Sequence, residues 1–387
     1  MGLDLPAPAP ASDDPFEGLR AVAALPFERA RSMPPAVYTS PAFHAAEQRG
    51  IFAQDWICVG RAGQLARPGD YLTAEIAGQP VIVLRDGEGA IRALSNVCLH
   101  RMSVLLEGAG NTRSIVCPYH AWTYNLDGSL RGAPIMSDNL DFCRDQRLPQ
   151  LRAEVWQGWI MVTLNPDAPP VAERLARLEP MIAPFGLADY TELFHETHRW
   201  DTNWKVLCEN FMESYHLPAC HAGTIGGVTE IDGHFFTEDE EAFNLHYLTK
   251  DPSFVLGNAH PDNTRLTGEW RGRTAIVAVY PSLLITATPG YFWYLSLLPH
   301  GTGQVDITFG GGLAPEFVGA PEARESFAKL HALLTEVNRE DRGCTERVFR
   351  GLNAPLAKAG HLSRLERPLY DFAQFLAARL APGPARG

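Results

Sequence analysis

The chain has 387 residues, 45% of them apolar, enough for a sizeable core and two or three domains. Its 45 acidic against 33 basic side chains give a net charge of −12, which argues against nucleic acid or an anionic membrane as main partner and mildly favours cationic ligands. Seven cysteines, an odd number scattered along the sequence, are not the dense, even set of a secreted disulfide domain, so a reducing cytoplasm is expected.

Residues 1–42 read as an N-terminal arm and leading segment. The start, MGLDLPAPAPASDDPFEG, has neither the basic head nor the apolar run of a signal peptide, and its composition predicts a poorly ordered Pro/Ala arm. Residues 43–167 read as a small all-β module. DWICVG, DYLTAEIAG, QPVIVLRD and AIRALSNV are short β-type runs punctuated by turn residues, and EVWQGWIMVTLNPDAPP closes the module as a strand entering a Pro-rich linker. Residues 168–387 read as α+β, with helices near 170–185, 203–217 and 321–352. The apolar stretch from Ala275 to Pro299 is cut by Pro281, Pro289 and Gly290 into pieces of strand length, so buried strands are expected there rather than a membrane helix. Gly310, Gly311 and Gly312 lack dinucleotide-fingerprint spacing and read as a bend or bulge.

Two constellations carry chemistry. In the β module, Cys98 and His100 sit in one loop, Cys117 and His120 in another. Two Cys and two His are a zinc donor set, and spacing alone leaves that open. However, each loop supplies one thiolate and one imidazole, which suits two irons side by side: in a Rieske [2Fe–2S] centre two Cys hold one iron and two His the other.

The second constellation lies in NWKVLCENFMESYHLPACH. On a regular helix Glu213 and His216 lie about 60° apart, whereas His221 is turned by about 140° from His216, so convergence needs a distortion, for which Pro218 is placed. Two His and one carboxylate form the facial triad that binds Fe(II) with open positions. The carboxylate is found by periodicity: Phe327, Leu330, Leu334, Val337, Cys344 and Val348 mark one helix face, and Asp341 fills the missing step. A carboxylate there needs a bound cation or a salt bridge to Arg339 or Arg342. Glu340 and Glu346 fall at the stripe's edge or beyond and read as solvated.

Cys98, His100, Arg101, then Cys117, Pro118, Tyr119, His120, Trp122 and Tyr124 resemble the cluster motif of Rieske non-haem iron oxygenases, except that Met102 and Ala121 stand where that family usually has glycine, so these turns must avoid left-handed dihedrals or carry strain. The segments around His216 and Asp341 resemble the same family's α subunits, extending the likeness over nearly the whole chain. The resemblance implies an α+β fold: a small all-β Rieske domain, plus a larger catalytic domain whose antiparallel sheet is flanked by helices (helix-grip, START-like). It implies a [2Fe–2S] cluster on Cys98, His100, Cys117 and His120, and a mononuclear Fe(II) on His216, His221 and Asp341, with Asn210 close by. Glu213 is implied to carry electrons between subunits of a homotrimer. The Glu at this position, where Asp is commoner, resembles the branch acting on choline, glycine betaine, stachydrine and carnitine.

The reaction implied is O₂-dependent hydroxylation of a C–H bond, giving N-demethylation or hydroxylation of a small, cationic methylamine. NAD(P)H would contribute through a separate flavin/iron–sulfur reductase or ferredoxin. Hydroxylation or O-demethylation of an aromatic acid or arene, and a non-catalytic Rieske electron carrier, are the alternatives. Phe211, Tyr247, Tyr291 and Trp293 are candidate pocket residues; strand alternation puts Tyr291 and Trp293 on one face and Phe292 and Tyr294 on the other.

Overall fold

The computed structural model describes residues 14–136, 138–139, 141–226, 235–237, 240–249 and 255–381. Most of the expected Pro/Ala arm therefore lies outside the described residues. Its end is helical: Asp14 caps α1 (Pro15–Ala23) by accepting from Phe16 N–H at 2.8 Å, and α2 (Pro35–Thr39) and α3 (Pro41–Glu47) follow.

The first seven-stranded sheet holds β1 (Ile57–Arg61), β2 (Asp70–Ile76), β3 (Gln79–Arg85), β4 (Ile91–Ser95) and β5 (Ala109–Asn111), with β9 (Gln150–Trp156) and β10 (Trp159–Thr163), in the order β1-β10-β9-β4-β3-β2-β5. A three-stranded sheet, β6 (Ile115–Val116), β7 (Thr123–Tyr124) and β8 (Leu130–Gly132), carries the second Cys/His loop. EVWQGWIMVTLNPDAPP is a hairpin rather than one strand, because Gln157 and Gly158 both adopt positive φ and turn β9 into β10. Alternation along β3 feeds two cores: Val81 and Val83 join the main one, while Ile82 and Leu84 face a smaller cluster with Cys98, Cys117, Trp122 and Tyr124.

The second sheet is antiparallel, β11-β17-β16-β15-β14-β13-β12, built from β11 (Thr191–Trp200), β12 (Phe235–Phe236), β13 (Phe243–Thr249), β14 (Arg273–Val279), β15 (Leu283–Ala287), β16 (Tyr291–Pro299) and β17 (Val305–Leu313). The apolar stretch thus folds as the expected buried strands. Gly310–Gly312 stay in register with β16 and make no bulge; the irregularity is opposite them on β11, between Glu192 and Phe194. Glycine is required because a Cβ at Gly310 would enter the Tyr294 ring and one at Gly311 the Phe194 ring.

The expected helix at 170–185 is two single turns, α4 (Val171–Arg174) and α5 (Glu179–Ile182), since Pro180 permits only a fresh start. After α6 (Trp204–Met212), α7 (Leu217–Cys220) and α8 (Pro315–Val318) comes the long α9 (Pro321–Leu352), as its periodicity predicts, then α10 (Arg367–Leu380). Helices α6 and α9 pack together on one side of the sheet, the helix-grip arrangement. Arg61 joins the two sheets: its guanidinium lies 4.6 Å from the Trp159 ring centroid and 4.5 Å from that of Phe292, and donates to Leu187 O at 3.1 Å. No helix of the described residues is long and apolar enough to cross a membrane.

Candidate metal centres and cavity

The two Cys/His loops repeat one backbone design. Cys98 N–H donates to Ser103 O and Met102 N–H to Cys98 O; Cys117 N–H donates to Trp122 O and Ala121 N–H to Cys117 O. Closing each turn this way puts Met102 at φ 51° and Ala121 at φ 58°, so both loops take the left-handed conformation without glycine and carry the strain. Asn96, 2% exposed, braces the first loop by bonding both N–H and C=O of Leu106.

Both thiols are buried, while the imidazoles lie outward: His100 is half-buried and His120 exposed, with ring centroids 4.7 Å apart. Trp122 stacks on His100 at 5.0 Å. The Tyr124 hydroxyl accepts from Leu99 N–H at 3.0 Å and faces Cys98 Sγ at 3.3 Å. Burial opposes ionisation of Cys117, yet the backbone N–H groups of Tyr119 and His120 hold its thiol below the usual range. His100 Nδ1 is buried with no hydrogen-bond partner among the described residues. A thiolate environment and an orphaned imidazole nitrogen fit a cluster held by these four side chains.

The second centre forms where α6 ends. Glu213 is extended at the helix C-cap, so the helix breaks there, and Pro218 then stands in the first turn of α7, where its missing N–H costs nothing. The distortion expected from Pro218 is thus supplied by Glu213. Its carboxylate closes the turn, accepting from the N–H groups of Tyr215 and His216, and meets His216 Nδ1 at 2.5 Å. His221, 1% exposed, places Nε2 3.0 Å from Asp341 Oδ1; His216 Nε2 is 3.7 Å from the same oxygen. The donor atoms of His216, His221 and Asp341 lie within 4.8 Å of one another. Asn210 Nδ2 donates to Asp341 Oδ1 at 2.8 Å.

Glu340 is not solvated. Its Oε2 sits 2.7 Å from His221 Nδ1 and accepts from Thr224 Oγ1 at 2.7 Å. Each histidine therefore has Nδ1 held by a carboxylate and Nε2 aimed at Asp341, the orientation a metal-ligating imidazole needs. Burial opposes protonation of His221, but Asp341 and Glu340 overcome it and hold its pKa above the usual value. Arg339 pairs with Glu336 and Arg342 with Glu346, so neither neutralises Asp341. Glu346 is thus ion-paired as well, and its Oε1 accepts from Asp201 N–H at 3.3 Å.

The triad opens on a cavity of about 390 Å³. Phe211, Tyr291 and Trp293 line it, with Leu330, Leu334 and Val337 of α9 above. Trp293 and Phe211 meet edge to face at 5.5 Å. Phe292 and Tyr294 take the opposite face, as alternation predicts, packing on Trp159. Tyr247 does not reach the cavity: its hydroxyl donates to Met181 O at 3.0 Å, and its strand neighbours His246 and Leu248 line the space instead.

Residues 55–151 match the Rieske [2Fe-2S] domain family, and residues 187–382, half of the chain, match the family of ring hydroxylating alpha subunits (catalytic domain). The carnitine monooxygenase oxygenase subunit of Acinetobacter baumannii is 32% identical over 245 residues, 58% of this chain and 64% of that protein. The chain thus spans less than two thirds of that relative's length in the match. Choline monooxygenase of Arabidopsis thaliana is 26% identical over 90% of this chain and 82% of its own. In fold, the chain is similar to the quaternary ammonium Rieske monooxygenase CntA in complex with L-carnitine (TM-score 0.77, 23% identity, 96% of this chain and 99% of that one). It is equally similar to naphthalene 1,2-dioxygenase from Rhodococcus sp. (TM-score 0.78, 21% identity, 96% and 99%). With both signature domains in one polypeptide, the chain belongs to the Rieske-type ring-hydroxylating oxygenase α-subunit family.

Proposed function

We propose that this chain is the oxygenase component of a dioxygen-dependent system that hydroxylates a C–H bond of a small tertiary or quaternary methylamine, with oxidative N-demethylation as the outcome. The observation that carries it is the His216/His221/Asp341 donor set opening on an apolar cavity with aromatic rings in its wall. In this reading those three side chains hold a ferrous ion with open positions, and Cys98, His100, Cys117 and His120 hold a [2Fe–2S] cluster. When bound, the cluster supplies single electrons and the iron activates dioxygen.

The chain's own residues orient and exclude. Asn210 fixes the Asp341 carboxylate, while Glu213 and Glu340 fix the imidazoles. The ring faces of Trp293 and Phe211 attract a methylammonium group, and the leucines of α9 keep water from the reacting carbon. Overall, one oxygen atom of O₂ enters the methyl C–H bond and the other leaves as water, consuming two electrons and two protons. The resulting hemiaminal collapses to formaldehyde and the demethylated amine.

The electrons originate in NAD(P)H and arrive through a separate flavin/iron–sulfur reductase or ferredoxin. Head-to-tail assembly into a homotrimer in the cytoplasm brings the His120 side of one chain to Glu213 of the next. The domains are then 43–167 for the cluster and 168–387 for the iron, behind the leading segment 1–42. The relatives named for carnitine and choline support the methylamine class. The leucine-rich wall also suits an arene, the second reading.

About three irons per chain are expected, and Asp341→Ala removes one while leaving the cluster absorption intact. Turnover of a quaternary-amine panel with a surrogate reductase is expected to release formaldehyde. Conversion of aromatic acids with no formaldehyde from any amine would overturn the substrate class.

A further inference from the structure

The elements that carry the iron-site donors also bring two thiols together. Cys220 closes α7, one residue before His221, and Cys344 lies three residues after Asp341 on α9. Their Sγ atoms stand 2.7 Å apart although 124 residues separate them in the chain, so a small approach brings them to the ~2.05 Å of a disulfide bond. Both cysteines are free and partly exposed, unlike the buried Cys58 and Cys208. Arg347 Nη2 donates to Cys344 Sγ at 3.3 Å. Partial exposure beside a cation is the setting of a reactive cysteine.

We propose that Cys220 and Cys344 form a peroxide-reactive dithiol whose closure ties α7 to α9 at the mononuclear site. The Cys344 sulfur attacks one oxygen of hydrogen peroxide, the O–O bond breaks, and water leaves with a sulfenic acid on Cys344; Cys220 Sγ then displaces the sulfenic oxygen as a second water. Two thiols lose two electrons and two protons, and one H₂O₂ becomes two H₂O. The source of the peroxide rests on the oxygenase reading: two electrons and two protons delivered to O₂ with no C–H bond to oxidise make H₂O₂. Reopening takes a cellular thiol, so in a reducing cytoplasm the bond is transient. While it lasts, the segments bearing His221 and Asp341 cannot part, and iron is held more firmly.

The test treats the iron-loaded holoprotein with one equivalent of hydrogen peroxide. Unreduced peptide mapping by mass spectrometry is expected to show the Cys220 and Cys344 peptides joined, two hydrogens lighter than their sum, with cluster absorption unchanged and the join reversed by dithiothreitol. In Cys220→Ser the Cys344 sulfenic acid has no thiol to meet and is expected to be trapped by dimedone. Ferrous-iron loss to a chelator is expected to be about fivefold slower in the oxidised parent than in the reduced parent, and equal before and after peroxide in Cys220→Ser. Unlinked Cys220 and Cys344 after the peroxide is consumed, or one rate of iron loss in both oxidation states of the parent, overturns the inference while the oxygenase reading stands. A chain that takes up no iron beyond the cluster overturns both.

Discussion

A histidine that offers one ring nitrogen to a metal is only as well aimed as the group holding its other nitrogen. Glu340 does this for His221, and Glu340→Gln is expected to weaken ferrous-iron affinity about tenfold, measured by iron titration, with the cluster spectrum unchanged. At the other centre, Ala121 sits at φ 58°, a conformation that costs an L-residue roughly 1 kcal/mol. Ala121→Gly is expected to raise stability by about that amount in chemical denaturation. Asp341 was legible in the sequence because it interrupts an apolar stripe of regular step. Glu340 was not, because periodicity reports the angle of a side chain on its own helix and says nothing of a histidine arriving from another. The Glu-Asp pair at the stripe's edge was the available signal.

Helix α6 is anchored from below by charge. Lys205 Nζ lies 2.5 Å from Glu47 Oε1 of α3, both side chains fully buried. One turn further on, Glu209 accepts from the Tyr38 hydroxyl at 2.7 Å. Burial pushes the Glu209 carboxyl up to about 7 from an ordinary 4.5, outweighing the pull of Tyr38 and Lys205. The folded chain then holds this proton more tightly than the unfolded chain does. Glu209 therefore costs no stability below about pH 4.5 and an increasing amount as pH rises through 7. Glu209→Gln is expected to flatten that fall by about 3 kcal/mol, seen in denaturation midpoints taken across the range. Element type was readable for α9, whose stripe is long. The break in α6 was not, because Glu213 is a good helix former, and it leaves the helix to cap the next turn with its carboxylate and meet His216, a local alternative that helix propensity does not report.

Across the whole molecule, the proposed electron route makes a demand that a single chain cannot meet alone. A protein unable to build its cluster, Cys117→Ala, and one unable to hold iron, Asp341→Ala, are each expected to be inactive. Refolded or expressed together they should recover a measurable part of parental turnover, since mixed assemblies place an intact cluster beside an intact iron site. Recovery absent from a verified mixed oligomer would confine electron flow to one polypeptide. The division into a β module and an α+β part was legible from turn residues and strand-length apolar runs. How the two parts meet was not, because Arg61 is an unremarkable arginine until Trp159 and Phe292 close on either side of it. That clasp leaves little freedom for one half to swing against the other. On the proposed route between copies, the gap an electron must jump is then dictated by how neighbouring copies pack, and weakening the contact between copies should slow reduction of the iron before it disturbs either metal's ligands.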